Sequence, residues 1–149
     1  MSKREFSKVS SALWHSKRFL ALGHDRARLL LLYLITCQHQ NSAGAYRLPV
    51  GYALADLGWS AEEYRIHLDE LVEACLIAYD DDTEEVFVCG WFKVCPPMND
   101  KHAVGTMTRV NDIESEPVKL VALGEFKDAT KSRLRLQSEV RRPHQEAAE

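Results

Sequence analysis

The stretch Leu29 to Ile35 constrains this chain more than any other. Seven consecutive apolar residues are far too few to cross a bilayer, which takes about 20. Inside a helix they leave no polar face, and a helix apolar all round belongs at the centre of a fold. Asp25 is the expected N-cap, and the helix is expected to run from Arg26 to about Gln38. The remaining elements are those that surround it.

Those elements follow in a definite order. Asn41-Ser42-Ala43-Gly44 is turn chemistry. Tyr46-Arg47-Leu48 reads as a short extended piece running into Pro49, which suits the first turn of a helix. That helix extends to about Leu57, with Tyr52 or Ala53, Leu54 and Leu57 facing in. Gly58-Trp59-Ser60 is a stop and restart, and Ser60 followed by Glu63 fits a capping box. From Ala61 to Ala74, Tyr64, Leu68, Leu71 and Cys75 form one apolar stripe at helical spacing. Leu76 to Tyr79 and Val86 to Cys89 read as strands flanking a polar turn, Asp80 to Glu84. Ahead of the central helix, Ser10 caps a short helix containing Leu13 and Trp14. After Cys95-Pro96-Pro97, one helix is expected within Asn99–Asn111 and another from Ser115, with Pro117 in its first turn. Residues 125–140 read as helical and 141–149 as a disordered tail.

Helix, strand, helix, Gly-containing turn, helix, strand, turn, strand is the order of a winged helix-turn-helix. Two short helices brace each other across the Gly58 turn, the third lies on the first through its stripe, and a hairpin closes the open side. The expected fold class is therefore α+β, mainly α. A winged helix-turn-helix domain spans residues 5–95, with a small β-hairpin wing, and a helical extension follows over 96–140. DNA-binding versions of this fold place the third helix in a major groove and the wing on the backbone.

The residues that carry this order also resemble a family. Leu32, Tyr33, Leu34, Thr36, His39, Asn41, Gly44, Tyr46, Leu48 and Pro49, then Gly58, Trp59, Ser60, Leu68 and Leu71, look like the winged-helix domain of phage replication-initiator and replisome-organiser proteins. Phe6, Val9 and Trp14 before them, and Pro96, Pro97 and Asn99 after them, extend the resemblance over roughly residues 5–100. It implies a phage or prophage type of protein with double-stranded DNA as partner. Two features depart from the pattern. Cys75 stands where such domains often carry Gly at the end of the third helix. The chain also stops about 50 residues after the wing, where initiators usually continue into a helicase-loading or second DNA-binding domain.

Charge sharpens the DNA question. The formal net charge of −3 conceals segregation. Residues 1–24 hold five basic and one acidic side chain, whereas residues 60–92 hold one basic and ten acidic. The candidate DNA contacts are Arg65 with its neighbours Ser60 and His67 on the third helix, and Arg47 before the second. A basic N-terminal arm adds Lys3, Arg4, Lys8, Lys17 and Arg18, and Lys93 follows the wing. An arginine on the third helix reads guanine with about 1–3 kcal/mol of discrimination when bidentate. Against this stand Glu62, Glu63, Asp69, Glu70 and Glu73 on the same helix, and the acidic run Asp80 to Glu85, which reads as a solvated loop. An acidic wing cannot neutralise phosphate.

The leading expectation is a non-catalytic DNA-binding protein related to replication initiators. The alternative is a protein-interaction or oligomerisation module that does not use its acidic third helix and wing on DNA. In that reading Ile66, off the stripe beside Arg65, meets a second copy or a replication or regulatory protein. Catalytic signatures are missing: no HExxH, no Walker loop and no GxSxG occurs, and the six histidines are scattered. Four cysteines form no CxxC pair and read as buried thiols of a cytoplasmic protein. The sequence thus predicts no enzyme, no metal and no cofactor.

Overall fold

A computed structural model describes residues 4–146. It is α+β and mainly helical. A 3-10 turn (Ser11–His15) and α1 (Lys17–Leu20) lead into α2 (Asp25–Thr36). Then follow β1 (Ala45–Arg47), α3 (Val50–Leu57), α4 (Ala61–Glu73), β2 (Ile77–Asp80), β3 (Glu85–Val88), α5 (Trp91–Val94), α6 (Asp100–Asn111) and α7 (Glu116–Glu146).

The apolar run forms the buried helix α2, with Ala27, Leu30, Leu31, Leu34 and Ile35 inside. It is not enclosed on every side, because Leu29 remains 50% exposed. The start of the helix also differs from expectation. His24, not Asp25, is the N-cap, and its side chain makes no capping bond. Asp25 instead occupies the first turn, where its charge complements the positive helix end.

The turn after α2 is built by Asn41, whose carboxamide oxygen accepts from Ala43 N–H at 2.8 Å and whose amide donates to Ala45 O at 2.8 Å. Gly44 is required there. Its φ is +66°, and an added Cβ would lie 2.3 Å from Trp91 Cγ. Gly58 (φ +70°) ends α3 in the left-handed conformation. Ser60 and Glu63 then form the capping box of α4. Tyr64, Leu68 and Leu71 are buried as the stripe predicts.

Cys75 is not part of that stripe and is exposed. The helix stops at Glu73, and Cys75 adopts φ +56°. Leu76 N–H reaches Leu71 O at 3.1 Å and Cys75 N–H reaches Val72 O at 3.0 Å. That pairing is a Schellman motif with Cys75 at its left-handed position. The left-handed residue turns the chain away from the helix, so its side chain leaves the buried face.

Three strands form one antiparallel sheet in the order β1-β3-β2. Ala45 faces Phe87 on one side of β3, and Ala78 faces Phe87 on the other. The central strand is buried throughout.

The C-terminal part is more continuous than its sequence predicts. One 31-residue helix replaces the two expected segments and includes residues 141–146, which were expected to be disordered. Gly124 does not interrupt it, because its flanks are good helix formers and a lone Gly costs only about 1 kcal/mol. Val118, Ala122 and Phe126 bury one face of α7, and Phe126 meets Phe92 edge-on at 5.4 Å.

Candidate nucleic-acid interface

The face formed by α4 and the β2–β3 hairpin carries the third-helix candidates. Arg65 projects outward, but Asp81 in the hairpin turn takes both of its terminal nitrogens. Asp69, one turn along α4, adds a contact at 2.9 Å. The hydrogen bond it donates to Asp81 outweighs the desolvation and keeps the guanidinium firmly protonated. Ser60 spends its hydroxyl on Glu63 N–H at 3.2 Å. Arg47 lies 3.7 Å from Glu84. His67 is 7% exposed and points inward, so it offers no edge to a base. The i, i+3/i+4 geometry places His67 with Tyr64, Leu68 and Leu71 on the buried side, which excludes it from the outer face. That outer face presents Glu62, Arg65, Ile66, Asp69, Val72 and Glu73, with Ile66 58% exposed.

The acidic run is only in part a solvated loop: Asp81 and Asp82 are exposed in the turn, but most of its carboxylates have partners. Asp80 accepts from Ser115 Oγ at 2.6 Å, and this bond holds its carboxyl below the usual range. Asp81 grips Arg65. Glu84 accepts from Val50 N–H at 2.7 Å, at the start of α3. Glu85, 5% exposed, accepts from Ser115 N–H at 2.8 Å and from Glu114 N–H at 3.1 Å. Two of these carboxylates therefore sit at helix N-termini, where backbone N–H groups lack partners and the dipole favours an anion. The hairpin acids hold α3, α4 and α7 to the sheet.

A second face gathers the N-terminal candidates. Lys8, Arg18 and Lys93 line one cleft of about 390 Å³ between the N-terminal segment and α5. Arg18 and Lys93 also border a neighbouring cleft of about 700 Å³, closed by α7 and joined there by Arg133, Glu125 and Asp128. Four basic side chains thus line the two clefts with two acidic ones, and one of the four, Arg133, is paired with Asp100 at 2.6 Å. Arg18 is anchored by donating to Cys75 O at 3.0 Å. Arg4 lies over the Trp91 ring at 5.5 Å, beside the same clefts. Lys17 is exposed on α1. Lys3 lies outside the described residues. Glu125 accepts from Gly90 N–H at 2.7 Å; burial raises its pKa despite that bond and the nearby Lys93 and Arg18. Burial likewise pushes the Cys89 thiol up to about 11.

One constellation was missed by sequence reasoning. His24, His67 and Glu70 converge at the junction of α2 and α4. Glu70 Oε2 lies 3.0 Å from His24 Nδ1 and 3.4 Å from His67 Nδ1, while Gly23 N–H donates to Oε1 at 2.8 Å. Burial raises the Glu70 pKa, but these hydrogen bonds outweigh it and hold the carboxyl below its ordinary value. The spacing His67-x-x-Glu70 was a legible helical pair. Nothing in the sequence placed His24, 43 positions upstream of His67, beside them.

Comparison with family models, curated proteins and solved structures finds no match for this chain.

Proposed function

We propose that residues 5–95 form a winged helix-turn-helix domain of a non-catalytic, phage-type DNA-binding protein, and that its phosphate contacts lie on the α1–α5 face. The element order α2-β1-α3-α4-β2-β3 and the sheet order β1-β3-β2 support the fold reading. The resemblance to replication-initiator domains supports the replication setting and a cytoplasmic location. No described helix is long and apolar enough to cross a membrane.

The observation that carries the DNA reading is the convergence of Lys8, Arg18 and Lys93 on one cleft. Phosphate neutralisation supplies most non-specific affinity. Clustered cations satisfy it, whereas Arg65 is already neutralised by Asp81 and Asp69. Fluorescence anisotropy with a random duplex at about 50 and 200 mM salt tests the reading. Binding at the lower salt that weakens steeply at the higher supports it, and no binding at the lower salt overturns it.

The exposed Ile66 among Glu62, Asp69 and Glu73 favours a second use of α4 as a contact for a protein partner. Concentration-dependent mass measurement with Ile66→Glu would reveal self-association through it. A mass unchanged with concentration in both proteins excludes a homodimer.

A further inference from the structure

We propose that His24, His67 and Glu70 form a binding site for a zinc-class divalent ion, with three protein ligands and one position open to solvent. The reading is independent of DNA binding. A tetrahedral ion at about 2.0–2.1 Å from N and O ligands requires ligand–ligand edges of roughly 3.3–3.4 Å. The two edges from Glu70 Oε2, to His24 Nδ1 and to His67 Nδ1, are 3.0 and 3.4 Å. All three donor atoms lie within 4.8 Å of one another. The third edge closes by rotation of the His24 ring, whose side chain is 64% exposed and lies edge-on to His67 at 5.3 Å.

The surroundings fit such a site. Gly23 N–H holds Glu70 Oε1, so Oε2 is the oxygen left toward the imidazoles. Trp59, half-buried, packs edge-on against His67 at 5.5 Å. Arg26, the nearby cation, lies over the Trp59 ring at 5.6 Å with its charge paired to Glu63 at 2.8 Å. His24 is an N-cap whose ring is not used for capping, so no backbone bond is lost when it ligates. Two imidazoles with one carboxylate suit zinc and related first-row ions. Calcium and magnesium prefer all-oxygen shells. The bound ion would fasten α4 to the residues just before α2.

The full chain, titrated with Zn²⁺ against a chromophoric chelator, tests this. One equivalent bound with a Kd of about 1 μM or tighter is expected. A rise in Tm of at least ~5 °C with zinc well above its Kd should accompany it. His24→Ala removes an exposed ring and should weaken binding at least tenfold; Glu70→Gln should do the same. Cys75→Ser should leave binding unchanged, and Co²⁺ should give d–d absorption without a thiolate charge-transfer band. No zinc binding by the parent chain, His24→Ala binding like the parent, or a thiolate band would each overturn the site. Should Glu70→Gln fail to fold, His24→Ala decides alone.

Discussion

Asp81, in the turn of the hairpin, accepts from both terminal nitrogens of Arg65, the Nη2–Oδ2 contact measuring 3.1 Å. The one basic residue of α4 is thereby tied to the tip that a winged helix would lay on DNA. An exposed pair of this kind stabilises by at most about 1 kcal/mol, so its larger effect is on availability of the cation. With Asp69 still holding Arg65 at 2.9 Å, Asp81→Asn is expected to leave Tm nearly unchanged and to change affinity for random duplex less than about twofold at low salt. A severalfold gain in affinity would place DNA on the α4–hairpin face instead.

Cys75 occupies a left-handed position that Gly adopts without strain. Cys75→Gly should stabilise the chain by about 1 kcal/mol, a Tm increase of roughly 3 °C. Thermal unfolding under reducing conditions checks it. A decrease would mean that the exposed thiol contributes more than the backbone conformation costs.

Glu85 joins the extension to the sheet. Glu85→Ala leaves the Ser115 and Glu114 N–H groups without their buried acceptor, at a cost of about 2–3 kcal/mol. Hydrogen exchange should show α7 losing protection before the sheet does. Equal loss across both would indicate that α7 and the sheet unfold as one unit.

Glu125 gives the stability a pH dependence of known sign. Its folded pKa is raised, by burial first. Its contribution is therefore complete below the ordinary carboxyl range and is lost as pH rises through the folded value. Glu125→Gln should flatten stability across that window and be the more stable form at pH 7. Denaturant titrations at pH 4.5, 5.5 and 7 read this out directly. The same change removes a negative charge from the basic cleft and should raise affinity for duplex.

Much of this architecture was legible in the sequence because the signals were local. The Ser60–Glu63 box, the Gly58 stop, the Asn41 turn and the 3.6-residue stripe of α4 each depend on residues a few positions apart. The Gly preference at position 75 was legible too, through the departure that Cys75 makes from it. What was not legible depends on long-range pairing. The acidic run read as solvated loop because Val50, Arg65, Glu114 and Ser115, its partners, lie 16 to 35 positions away. His67 read as a surface residue because the ring it packs against, His24 at the N-cap of α2, lies 43 positions upstream. The N-terminal basic residues were legible as a set, but their meeting with Lys93 across one cleft required the fold.

The most direct test compares two variants on the same random duplex. Lys8→Ala combined with Lys93→Ala leaves the Arg18–Cys75 bond in place. The double variant should lose at least tenfold affinity at 50 mM salt, and its log–log salt slope should shrink by roughly 1.8. Arg65→Ala should change affinity less than about twofold, since its charge is already neutralised by carboxylates. The reverse pattern, with Arg65→Ala disabling binding and the double variant behaving like the parent chain, would contradict the assignment of DNA to the α1–α5 face.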